Sequence, residues 1–178
     1  MYLPEHFVEN SPEVLIPLIQ QHALGCLITQ VDGELDANHL PFIYDDLNES
    51  LLAHIAKANP LYAQLKQGSQ VLVVFQIEHA YVSPNWYQGK IEHHKAVPTW
   101  NYVVIHVKGK AELIEDQKQL RGILARLTRQ HEAKQPKPWK MTDAPKDYIE
   151  EQLQNIVGIH VNVEKLTGKF KLSQNRSV

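Results

Sequence analysis

Lys57, Asn59 and Pro60 stand within four residues of one another, and their types suit the binding of an anion. Lysine brings a positive charge and asparagine a capping carboxamide. Proline opens a helix whose leading N–H groups have no partner inside it. The same residues admit a plainer account, in which Asn59 caps its own helix and Lys57 is a solvated surface charge. A second group mixes rings with polar tips: Trp86, Tyr87, Trp100 and Tyr102 with Ser83, Thr99 and Asn101. Such a mixture can line an apolar slot with a few aimed polar contacts. On alternating strands about half of such aromatics face the core in any case.

Other chemistries lack their signatures. The chain has 10 histidines but no HxH, HExxH or paired-cysteine spacing, so no metal site is expected. His93, His94 and His160 are conceivable axial haem ligands, but there is no CxxCH attachment motif. GxSxG, P-loop and dinucleotide fingerprints are absent as well, which leaves acyl transfer and nucleotide hydrolysis without support. The lone Cys26, in Leu24-Gly25-Cys26-Leu27-Ile28, reads as a small buried hydrophobe.

The elements that must position these residues belong to one domain. A length of 178 residues, with 43% hydrophobic and 21% charged, suits a single globular core spanning residues 1–178. The formal charge of −2 exerts no global pull on nucleic acid or anionic membrane, so any anion site must be built locally. No apolar run approaches bilayer length and residues 1–10 lack a signal peptide's pattern, so a cytoplasmic protein away from membranes is expected.

Ser11-Pro12-Glu13 starts a helix that ends near Gly25, and residues 24–31 and 35–43 read as strands joined by the tight turn Asp32-Gly33. A third strand runs from Ser50 to Ile55, and a short helix from Asn59-Pro60 to the stop at Gly68. Val71–Ile77 is β-branched and aromatic, and Ala80-Tyr81-Val82 continues in extended form to the turn at Ser83-Pro84-Asn85. Residues 88–96 read as a polar excursion before a long strand from Trp100 to Glu112. Asp116 with Gln119 resembles a capping box, and Leu120, Ile123, Leu124 and Leu127 give the next helix one narrow apolar stripe, placing it outside the sheet. A linker over 134–140, a short helix from Asp143-Ala144-Pro145 to about Leu153, and a strand from Ile156 to Lys169 complete the chain. Strands dominate without βαβ alternation, so the expected class is α+β with an antiparallel barrel.

Six segments in order resemble the PaiB family, grouped with the FMN-binding split barrels. They are Met1-Tyr2-Leu3-Pro4 near Phe7, His39-Leu40-Pro41-Phe42, His54 through Asn59-Pro60, Tyr81 through Tyr87, Val97 through Tyr102, and Lys171 through Arg176. The resemblance spans almost the whole chain. It implies a split β-barrel with peripheral helices, a homodimer, and FMN in a groove between the subunits. Under it, Lys57, Asn59 and the helix at Pro60 become the candidate phosphate site, since FMN ends in a dianionic group. Lys57 stands where the family commonly has arginine, so it offers charge without a two-pronged contact. His39 and His54 fall near the cofactor, Ser83, Tyr87, Thr99, Trp100 and Asn101 face the ring or ribityl chain, and Gln174 and Arg176 are placed to reach across the dimer boundary.

The implied function is a flavin-binding protein, with oxidoreductase action on a small molecule as one form of it. Members of the family have been described as negative transcriptional regulators, which makes DNA binding the alternative. Residues 117–140 carry Lys118, Arg121, Arg126, Arg129, Lys134, Lys137 and Lys140 against only Glu132, although no helix-turn-helix accompanies them.

Overall fold

A computed structural model describes residues 1–87, Lys90 and 94–175. The Asp32-Gly33 turn, with φ of 52° and 87°, joins β2 (Leu24–Val31) to β3 (Glu34–Pro41) in one antiparallel hairpin. Eight described strands make one antiparallel sheet. The others are β1 (Val8–Glu9), β4 (Ile43–Asp45), β5 (Ser50–Ala56), β6 (Ser69–Val82), β7 (Thr99–Ile114) and β8 (Ile156–Lys171). Their order is β3-β2-β6-β7-β8-β5-β4, with β1 added against the end of β8. The sheet curls until β3 returns against β5, where Asn59 Nδ2 donates to Asn38 Oδ1 at 2.9 Å. Among the described residues no ladder closes that seam, as expected of a split barrel.

Inward-facing residues of the strands pack with two helices, α1 (Pro12–Gln21) through Leu15 and Ile19, and α2 (Leu61–Leu65) through Leu61 and Leu65. Phe42 and Phe75 meet edge-to-face at 5.7 Å in this core. Gly25 lies against both rings, and a Cβ there would stand 2.8 Å from Phe75. Outside the barrel, α3 (Gln117–Glu132) covers Ile43 and Leu52 with Ile123 and Leu127. Asp116 caps it by accepting from Gln119 N–H at 2.8 Å. Two ion pairs hold this helix, Arg126 to Asp45 at 3.1 Å and Arg121 to Glu150 of α4 (Lys146–Gln154) at 2.7 Å.

The strands that carry function are longer than their sequence signals. β6 has 14 residues and β7 and β8 have 16 each, against 8 in β2. The apparent break after Ile77 is a register shift between Gln76 and His79 inside a continuous strand. Past it, residues 79–82 still pair with 99–102, and Tyr102 pairs with Lys171. The ends of β6, β7 and β8 thus form a ledge beyond the reach of β2, which pairs with β6 only as far as Val74. Cys26 is half-buried rather than buried, because the alternation that sinks Leu27 turns it to the outer face beside His39.

Candidate functional site

The ledge collects most of the second group of residues. Lys171 Nζ donates to Thr99 Oγ1 at 2.6 Å and also to the Trp100 carbonyl. Ser173, held in the left-handed region at φ 66°, donates to Asn101 Oδ1 at 2.8 Å, and Tyr87 OH donates to Ser173 Oγ at 3.4 Å. Above them, Trp100 and Tyr81 meet edge-to-face at 5.9 Å while remaining 54% and 45% exposed. Large rings so exposed and so close together form a surface that lacks a cover within the described chain. Ser83 instead accepts from Asn85 N–H at 3.2 Å and shapes the turn leading to Tyr87.

Two lysines absent from the sequence-based candidates complete the ledge. Lys169 is only 7% exposed, donates to the Tyr2 carbonyl at 2.9 Å, and lies 5.7 Å and 5.3 Å from the Tyr2 and Tyr102 ring centres. Lys171 is 5.9 Å from the same Tyr102 ring. The available signal was their i, i+2 spacing on one strand, which gives both the same face.

The first group is differently disposed. Lys57 follows β5 with its side chain exposed and its N–H given to Asn155 O at 2.9 Å. The amides offered for a phosphate are in use: Leu61 N–H donates to Asn59 Oδ1 at 2.9 Å, Tyr62 N–H to Asn59 O at 2.9 Å and Ala63 N–H to Pro60 O at 3.0 Å. Asn59 therefore caps α2, and this corrects the expectation of free N–H groups there. The capacity that remains is the Lys57 ammonium, with the exposed His39 on the neighbouring strand β3.

His54 is turned to the side of β5 that carries Leu52, beneath α3, and faces Gly158 in register. Its Nδ1 is buried without a hydrogen-bond partner, and burial pushes its pKa below the usual histidine range. Its position within the chain is that of a residue packed beneath α3. Gln174 is exposed and bonded within its own segment. Its amide donates to Phe170 O at 2.5 Å and accepts from Leu172 N–H at 2.7 Å, so it closes its own turn rather than reaching outward. Arg176 and His93, with most of the 88–96 excursion, lie outside the described residues.

One chain does not bring the two groups into a single cleft. Lys57 adjoins the start of β8 and the ledge is at its end. Across the sheet, Asn38, which holds Asn59, shares a row with Leu27, Val73, Val107 and Leu166. Followed around the curved sheet, that row runs over four strand spacings, roughly 19 Å of arc rather than of straight-line distance, and Lys171 lies further along β8 than Leu166.

The donor set fits a flavin: hydroxyls and a carboxamide at Tyr87, Thr99, Ser173 and Asn101, flanking rings at Tyr81 and Trp100, and an exposed ammonium at Lys57 for a phosphate. The comparisons agree. A family model described as "Putative FMN-binding domain" matches residues 1–165. The chain is 31% identical over 179 residues to the protease synthase and sporulation protein PAI 2 of Bacillus subtilis, covering 99% of this chain and 84% of that protein. Among solved structures, the FAD and heme binding protein from Mycobacterium smegmatis superposes with a TM-score of 0.71 at 16% identity, over 93% of this chain and 73% of that one. The flavocytochrome Anf3 from Azotobacter vinelandii gives 0.69 at 12% identity, over 99% and 73%. Those two likenesses establish the fold. The family match and the 31% identity to the Bacillus subtilis relative make this chain a member of the PaiB family of FMN-binding split barrels, whose cofactor is a flavin.

Proposed function

We propose that the chain acts as a homodimer that holds FMN between protomers and serves redox chemistry on a small molecule. The observation that carries this reading is the separation of the Lys57 mouth from the polar and aromatic ledge within one protomer. A two-fold partner that brings its ledge to the other's mouth supplies both ends of one cofactor and covers Trp100 and Tyr81. In that arrangement the exposed Lys57 and His39 take the phosphate. Thr99, Asn101, Ser83 and Tyr87 take ring and ribityl polar atoms, and Trp100 forms a wall. FMN supplies the electron and hydride transfer when bound, and these residues hold it and exclude water.

A regulator acting through DNA draws less support from the fold. Arg121 and Arg126, two of the seven cations in the basic stretch, are paired with Glu150 and Asp45.

The test is complementation. Lys57→Ala and Asn101→Ala, each made alone, are expected to lose most bound FMN. Co-expressed with different tags and isolated as the mixed dimer, they regain up to half of the wild-type sites, because one groove then carries no substitution. A mixed dimer no better than its parents overturns the shared site, as does a monomer that retains FMN.

A further inference from the structure

Lys169 and Lys171 project from the same face of β8, with their ammoniums 5.3 Å and 5.9 Å from the Tyr102 ring centre. Like charges at i, i+2 on one strand repel, and a protein ordinarily sets a carboxylate between or beside them. Among the described residues neither lysine has one. The ion pairs among the described residues are Lys110–Glu112, Arg121–Glu150 and Arg126–Asp45, none of them on the ledge. Among the described residues every partner of the two ammoniums is neutral: the Tyr2 and Trp100 carbonyls, the Thr99 hydroxyl, and the rings of Tyr2 and Tyr102.

Such contacts satisfy N–H donors and leave the charge uncompensated within the described residues. For an exposed lysine that means little, since water carries the charge. Lys169 is 7% exposed, and an ammonium withdrawn that far from solvent calls for a counter-ion. The Tyr2 segment lies over it as a strap, and Lys171 is anchored by two oxygens. The pair is thus fixed in place.

We propose that Lys169 and Lys171 form a subsite for the anionic group, a carboxylate or phosphate, of the small molecule on which the flavin acts. This rests on the flavin reading above and adds the substrate's charge and the residues that select it. The ledge places that anion beside the ring wall of Trp100 and the hydroxyl of Thr99, which Lys171 already touches. Neutral substrates of the same shape bind poorly, because nothing else there replaces the missing counter-ion.

The same chemistry would also suit the phosphate of FMN itself, and the experiment separates the two sources. Wild type, Lys171→Gln and Lys169→Met are loaded with saturating FMN. Inorganic phosphate and, separately, benzoate are then titrated at constant ionic strength while the flavin absorption band is followed. The expected result is a saturable shift in wild type whose midpoint rises at least tenfold in either variant. In parallel, the ratio of riboflavin to FMN dissociation constants is measured. That ratio stays the same in the variants if the lysines serve the substrate. It collapses toward one if they hold the cofactor's phosphate, which overturns the proposal.

A wild-type protein with no saturable response to either anion also overturns it, and points to a carboxylate of a second copy as the counter-ion. If wild type fails to bind FMN at all, the flavin reading falls on its own. The anion titration then moves to tryptophan fluorescence, where the same tenfold difference decides the subsite. Melting curves guard the comparison: Lys171→Gln changes a half-exposed residue and is the variant that decides if Lys169→Met fails to fold.

Discussion

Replacing Lys57 by alanine isolates one ammonium from the rest of the fold. Its side chain is exposed, and its structural bond, from its N–H to Asn155 O at 2.9 Å, belongs to the backbone and survives. Stability should therefore move by no more than about 0.5 kcal/mol. Binding should move much further. A charge-assisted contact to phosphate contributes about 1.5–3 kcal/mol, which corresponds to roughly 10- to 150-fold in FMN dissociation constant. The leading amides of α2 cannot compensate, because Asn59 and Pro60 already occupy them. Riboflavin, which lacks the phosphate, should bind wild type and variant alike. Asn59→Ala supplies the contrast. It removes the cap on Leu61 N–H and the bridge to Asn38, at about 1 kcal/mol each, and lowers Tm by about 4–8 °C. The assay is quenching of flavin fluorescence by added protein, with thermal unfolding run beside it. Equal losses for FMN and riboflavin, or none for either, would refute Lys57 as the phosphate ligand.

Gly25→Ala should cost about 1–3 kcal/mol, since the new methyl meets Phe75 at 2.8 Å and Val73 at 2.9 Å; an unchanged urea midpoint would mean that the core yields there. The buried, depressed pKa of His54 makes stability depend on pH. Unfolded chains take up a proton near pH 6.5 while the folded site stays neutral, so stability is complete above that value and falls below it, until the folded imidazole itself titrates. The slope for one proton is at most about 1.4 kcal/mol per pH unit. His106 acts in the same direction, through burial, the N-terminal ammonium and Lys108, so His54→Gln should reduce the slope between pH 6.5 and 5 without abolishing it. Equal slopes in urea titrations of apo wild type and variant would contradict this. For the basic stretch, log affinity for duplex DNA should change little with log salt; a steep line that flattens when Arg129, Lys134 and Lys137 are neutralised would revive the regulatory reading.

What could be read in the sequence follows the range of each signal. The hairpin at Asp32-Gly33, the capped α3 with its Leu120, Ile123 and Leu127 stripe, and the alternation at Ile159 and Val161 are local patterns, and each took its expected form. The long ledge was only partly legible, because polar Glu78 and His79 imitate a break where the chain passes through a bulge. At Asn59 the plainer account held: the carboxamide serves its own helix, and the anion-binding role contracts to Lys57. Lys169 marks the limit of local reading. Lysines at alternate strand positions look like a wet face, and only the return of Tyr2, from the far end of the chain, makes this one dry. Burial produced by a contact so distant in sequence leaves no periodic trace, yet it converts a surface charge into an unmatched one. The same reasoning separates His54 from Lys169. His54 avoids its desolvation cost by staying neutral, whereas the Lys169 amine lies among carbonyl and aromatic partners with no carboxylate beside it among the described residues. A ledge whose positive charge is unmatched among the described residues and stands beside exposed rings therefore favours the proposed ligand, a molecule both flat and negative.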